Sequence, residues 1–219
     1  KSIFRGISVA DLNFAIGRTA AGGEYLIKAE ARSKGTLTKL FRVSFFQSFK
    51  SNVGAEKFRV LKTVKRDEQG DRIRDSEAIF DYGDRRVTYT ETDPNDAMRP
   101  PRRIASALAD EETHDLISAV YNLRRLPLAV GKTFQVSISD SGLVYKIPVR
   151  VAAREQQDSI LGRKIWCFRV EPEVFGPNRI LEQKGSMIIW ITDDERRIPV
   201  RSQISTDGYK IEVKLKKVS

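Results

Sequence analysis

One cysteine, one histidine and no apolar run longer than five residues set the first limits on this 219-residue chain. Cys167 has no second cysteine to join, so an intrachain disulfide is impossible, which suits either a reducing compartment or the periplasm. It sits in the alternating stretch from Ile165 to Val170 and reads as a buried or half-buried structural thiol. Any triad or His-bearing metal site would have to pass through His114. Beside Asp115, in an acidic stretch, that histidine is expected to be solvated. The longest apolar run, Met187 to Ile191, falls far short of the about 20 residues a helix needs to cross a bilayer. Neither GxxxxGK[ST] nor GxGxxG occurs. Asp193-Asp194-Glu195, flanked by Arg196-Arg197, reads as a solvated hairpin tip rather than a metal site. No catalytic residue, metal ligand or cofactor is therefore assigned, and the protein is expected not to be an enzyme. Paired carboxylates for glycoside chemistry have no local signal.

What the chain does have is positive charge, net +10, in an otherwise ordinary globular composition of 40% hydrophobic and 31% charged residues. The basic residues come as scattered pairs: Lys65-Arg66, Arg85-Arg86, Arg102-Arg103, Arg124-Arg125, Arg196-Arg197 and Lys216-Lys217. No basic run is interleaved with aromatics in a nucleic-acid-binding pattern, so no nucleic acid is expected. Diffuse charge suits a diffuse anionic partner, such as an envelope surface.

The stretch from Asp110 to Gly131 is the one convincing helix, expected near 110–125. Leu116, Ile117, Val120, Tyr121 and Leu123 fall at helical spacing and form an apolar stripe. Asp110, Glu111 and Glu112 would sit at the positive end of the helix dipole, Arg124 and Arg125 at the negative end. Pro127 stops the helix. Val120 and Tyr121 are expected to be largely buried.

Elsewhere the pattern alternates. Tyr25, Ile27, Ala29 and Ala31 make one half-buried strand after the turn at Ala20-Ala21-Gly22-Gly23, and Leu37 to Phe49 makes the next. Arg66 to Asp71 reads as a hairpin tip and Asp93 to Arg103 as a loop. Leu143, Tyr145, Ile147, Val149 and Val151 form a later inward set, in which Pro148 suggests an edge or bulge position. Leu161-Gly162-Arg163 turns the chain into Trp166, Phe168 and Val170. About a dozen strands and one helix point to a mainly β protein. The expected form is a curved antiparallel sheet, an open half-barrel wrapped around the helix as a single domain over residues 1–219. Tyr121, Trp166, Phe168 and Trp190 are candidates to line an apolar pocket for a lipid or acyl chain, against ordinary core packing. Arg124, Arg125, Arg196 and Arg197 are candidates for a basic surface.

The run DLISAVYNLRRLPLAVG, Asp115 to Gly131, resembles a hallmark of an exported bacterial family catalogued as domain of unknown function 3108. IWITDDERRIPV, Ile189 to Val200, resembles that family's second hallmark, and RGISVADL, Arg5 to Leu12, its N-terminal strand. The resemblance implies export to the periplasm, from a chain whose upstream piece, before Lys1, is expected to be missing. It also implies a fold similar to the half-barrels of periplasmic lipoprotein carriers, and carries over no catalytic residue. The resulting expectation is a non-enzymatic periplasmic cell-envelope protein that binds a lipid or other amphiphile in the concave face. The alternatives are an envelope scaffold for a protein partner and, less favoured, an enzyme acting on envelope polysaccharide. The oligomeric state is not legible.

Overall fold

The structure, a computed structural model, describes residues 2–4, 7–20, 22–35, 39, 42–108, 110–158 and 162–218. Arg5 and Gly6 of the N-terminal motif, Ala21 of the first turn, Leu37, Thr38, Leu40 and Phe41 of the second strand, and Leu161 lie outside the described residues. Alternating, β-branched segments separated by turn residues become, among the described residues, fifteen strands. They are β1 (Ser2–Phe4), β2 (Ile7–Arg18), β3 (Glu24–Ser33), β4 (Phe45–Gly54), β5 (Val60–Gln69), β6 (Arg72–Asp81), β7 (Arg86–Thr92) and β8 (Arg102–Ala107). The short β9 (Thr113–His114) precedes helix α1 (Leu116–Leu123). Then follow β10 (Thr133–Asp140), β11 (Leu143–Asp158), β12 (Lys164–Pro172), β13 (Gly185–Thr192), β14 (Pro199–Thr206) and β15 (Lys210–Lys214). Hydrogen bonding runs β8-β7-β6-β5-β4-β3-β2-β1-β15-β14-β13-β12-β11-β10-β9. Of the pairs with a defined register, all are antiparallel except β9 with β10.

Two compact units are distinguishable. The first holds Ala10–Val120 and Ser137–Tyr145; the second holds the residues up to Val9, Tyr121–Val136 and the chain from Lys146 on.

In the first unit the register aligns Ile16, Ile27, Ser51, Thr63, Ala78, Tyr89 and Ile104 in one row across β2–β8. Residues paired directly across strands share a face. The aliphatic hydroxyls of Ser51 and Thr63 therefore stand in a row made otherwise of Ile, Ala and Tyr89, with Ile27 and Ser51 fully buried. Their partner is Asp115, itself 5% exposed. Its Oδ2 accepts from Ser51 Oγ and from Thr63 Oγ1, the latter at 2.6 Å. Its Oδ1 accepts from the backbone N–H of Ile117 at 3.0 Å and of Ser118 at 2.7 Å. Ser118 Oγ in turn accepts from the Asp115 N–H at 3.0 Å. Asp115 is thus an N-cap with a reciprocal capping contact, and every one of its lone-pair directions is used.

This cap explains where the sequence reading and the structure part. The helix begins after Asp115, so Asp110, Glu111 and Glu112 precede it and no acidic residue lies in its first turn. Thr113 and His114 are instead a strand, paired in parallel with Ser137 and Ile138. His114 is 1% exposed, not solvated, because strand pairing draws it inward. The fully buried face of the cap and helix is Asp115, Ser118, Ala119, Asn122 and Leu123. Leu116, Ile117, Val120 and Tyr121 are half-buried. The hydrogen bonds of the cap, rather than the widest apolar stripe, set the helix's rotation. The expected loop from Asp93 to Arg103 gives way to β8 at Arg102, once Pro100 and Pro101 are passed.

Tyr82 ties β9 to this unit by donating to the carbonyls of Val60, at 2.9 Å, and Thr113, at 3.1 Å. Burial pushes its phenol up to about 12 from 10.0. A phenol raised in the folded state binds its proton more tightly there than in the unfolded chain, so stability falls as pH climbs between those values. The contribution is intact below pH 10.0 and gone above about 12. Tyr82→Phe should cost about 1 kcal/mol at neutral pH and flatten the alkaline limb of a pH–stability curve. An equally steep limb in the variant would rule Tyr82 out as its source.

In the second unit, β11–β13 place Val149, Val151, Phe168, Val170, Ile189 and Ile191 on one face, all buried. Each such side chain contributes roughly 1.5–3 kcal/mol. Pro148 stands in β11, a strand with neighbours on both sides, and not at an edge. The register shift falls three residues on, between Val151 and Ala153, and brings Arg154 opposite Phe168 on the apolar face.

Candidate functional site

The two hallmark segments meet in the second unit. Arg124, just past the helix, donates from Nε at 3.2 Å and Nη2 at 2.9 Å to the carbonyl of Arg196. That carbonyl belongs to the β13–β14 turn, which the sequence builds from its own polar groups. Asp194 Oδ1 accepts from Thr192 Oγ1 at 2.6 Å and from the N–H groups of Arg196 and Arg197 at 3.1 Å each. Thr192 Oγ1 accepts from the Ile198 N–H at 2.8 Å. Asp194 is therefore committed to the turn. Asp193 reaches outward instead, accepting from Arg154 Nε at 2.6 Å and from Arg197 Nη1 at 3.5 Å.

These arginines lie over aromatic rings. The Arg154 guanidinium is 4.4 Å from the centre of the Trp166 ring, Arg197 is 4.8 Å from Phe168, and Arg124 is 5.8 Å from Tyr121. Trp166 and Phe168 are two residues apart in β12 and share a face with Arg154. Phe168 is buried, Tyr121 half-buried, and Trp166 46% exposed. Arg125 and Arg196 are exposed and Arg197 half-buried. The arrangement joins three of the four candidate aromatics to the candidate basic residues around one turn.

Trp190 is placed differently. Its partner across β12 is Arg169, whereas that of Phe168 across β13 is Ile191, so Trp190 and Phe168 project to opposite faces. Trp190 is 5% exposed, donates from Nε1 to Glu155, and lies under Arg201 at 4.5 Å. Cys167 is fully buried, as expected, and burial, with the nearby Asp194, Asp193 and Glu155, pushes its thiol up to about 11. At neutral pH it is a protonated thiol, not a nucleophile.

Chemically, the turn offers the half-exposed Trp166 indole next to the guanidinium groups of Arg154 and Arg197. Such a surface accepts apolar groups next to an anion. Arg154 and Asp193 carried no sequence signal as members of it: 39 residues separate them, and only the β11–β12 register brings Arg154 beside the indole.

A mainly antiparallel sheet with the two-turn helix α1 defines the fold class expected from the sequence, a curled sheet of the half-barrel kind. It is similar to a crystal structure described as a beta-barrel-like protein of domain of unknown function DUF1849 from Brucella abortus. That likeness has a TM-score of 0.60 at 9% identity and covers 93% of this chain and 84% of that one. At such identity it speaks for the fold alone. The chain belongs to the family described as protein of unknown function DUF3108, whose model matches residues 2–215. No curated protein matches it.

Proposed function

We propose that this is a non-enzymatic periplasmic protein of the cell envelope that binds a lipid or other amphiphile with an anionic head group. The observation that carries the reading is the half-exposed Trp166 ring under Arg154, joined through Asp193 to Arg197 and the motif turn. An indole with an apolar body and a polar edge suits the boundary between acyl chain and head group. Guanidinium groups suit phosphate or carboxylate there. The net charge of +10 adds a long-range attraction to an acidic surface.

Vesicles containing acidic lipid should retain the protein at low salt and release it as salt rises. Trp166→Ala should weaken retention about tenfold, as the loss of roughly half an indole's burial implies. Its melting temperature should move by no more than about 2 °C, because the ring already faces solvent. Equal retention of Trp166→Ala and the parent, or retention on neutral vesicles that salt does not touch, would sink this reading.

A further inference from the structure

A second place in the molecule has no role in that reading. In the first unit, beside the N-terminus of α1, lies a cavity of about 40 Å³ walled by Phe49, Phe80 and Leu116. Several polar groups converge on it. Ser139, on β10, is 5% exposed, and its buried hydroxyl has no hydrogen-bond partner among the described residues. An unsatisfied buried hydroxyl normally implies a molecule that completes it. Lys65 lines the cavity with its ammonium 5.1 Å from the centre of the Phe49 ring, and makes no ion pair among the described residues. Asp140 lines it as well, and among the described residues its carboxylate takes only the long contact from Ser141 Oγ at 3.5 Å. Lys65 and Asp140 are not paired with each other. Asp115 also borders the space, but both its oxygens are already taken by the cap and by Ser51 and Thr63.

An uncompensated cation, an uncompensated carboxylate and an orphan hydroxyl in one partly apolar enclosure call for a ligand bearing both charges. A lone anion would meet Asp140 and Asp115, and a lone cation would meet Lys65. The enclosed space corresponds to roughly three waters, so only part of a small ligand enters it, while its charged ends meet Lys65 and Asp140, which are half-buried. We propose that this cavity is a binding site for a small zwitterion, with its ammonium on Asp140, its acidic group on Lys65 and the Ser139 hydroxyl bound to it. The site shares no residue with the Trp166 platform and stands whether or not that platform binds lipid. The same chemistry is found in a soluble metabolite and in a zwitterionic lipid head group.

The test uses the full chain titrated calorimetrically with phosphoethanolamine, and separately with ethanolamine and with inorganic phosphate. Phosphoethanolamine should bind at least about tenfold more tightly than either half, since each charged hydrogen bond adds about that factor. Lys65→Met should remove its advantage over ethanolamine, and Asp140→Asn its advantage over phosphate. Ser139→Ala should weaken binding while leaving the melting temperature of the free protein unchanged or higher, because it deletes an unsatisfied hydroxyl. Retention on phosphatidylethanolamine vesicles that is lost in Lys65→Met would identify the lipid source. A response to the free compound without such retention would identify a soluble one. No binding of phosphoethanolamine by the parent, binding unaltered by Lys65→Met and Asp140→Asn, or a Ser139→Ala variant that binds as tightly as the parent would overturn the proposal. A parent that binds nothing, together with a Ser139→Ala variant that melts lower, would mean that the space holds structural water only.

Discussion

Asp115→Ala should lower the stability of this protein by about 3–7 kcal/mol, the largest effect expected from any single truncation outside its apolar core. Two losses add. Removing the cap costs about 1 kcal/mol, because the N–H groups of Ile117 and Ser118 lose their acceptor. Removing the second oxygen strands the hydroxyls of Ser51 and Thr63, both buried. Each such hydroxyl costs about 1–3 kcal/mol when left unsatisfied. In a chain of this length the midpoint of thermal unfolding should fall by about 10 °C or more. Asp115→Asn should lose less, since an amide oxygen caps a helix nearly as well and its NH2 lets one hydroxyl turn round and accept. Urea titration of the three proteins measures the order directly. An alanine variant as stable as the parent would mean that Asp115 does not hold the helix to the row of β4 and β5.

Gly142→Val should come second, at about 3 kcal/mol. Gly142 turns β10 into β11 with φ +84°, the left-handed region that a β-branched residue avoids. That alone costs about 1–2 kcal/mol. A Cβ placed there would also stand 2.7 Å from Tyr89 Cβ and 2.9 Å from Ile104 Cβ. Neither is the free end of a flexible side chain, so the hairpin would have to lift from β7 and β8. Overpacking of this kind adds about 1–3 kcal/mol. Gly70→Val is the control: it turns β5 into β6 at φ +59° with nothing within 4 Å of its Cβ. It should lose the conformational part alone. Equal losses at the two positions would show that the close approach at Gly142 contributes nothing.

The parts of this molecule that the sequence determined are those in which a residue's neighbours in the chain decide its conformation. Strand periodicity in β3, the two-residue turn at Gly70-Asp71 and the halt of the helix before Pro127 follow from backbone geometry within a few positions. So does the Asp115–Ser118 capping pattern, which could have been read directly from its spacing and would have moved the helix start away from Asp110. The family motifs belong here as well, since they are runs of contiguous residues.

Tertiary structure alone decided which side chains meet. Asp115 finds Ser51 and Thr63 across 64 and 52 residues, and no local pattern states that pairing. Those bonds turn the helix so that Ser118 and Asn122, not Val120 and Tyr121, are fully buried. Trp190 shows the same limit in a strand. The run Met187 to Ile191 is apolar on both faces, so it carries no alternation from which the direction of the indole could be read. A pairing shifted by a single residue moves every side chain of a strand to the other face. The register of β12 with β13 is thus what separates Trp190 from Phe168, and the irregularity between Val151 and Ala153 is what sets Arg154 beside Trp166. Both are properties of hydrogen bonds between distant segments, which exist only once the sheet has formed.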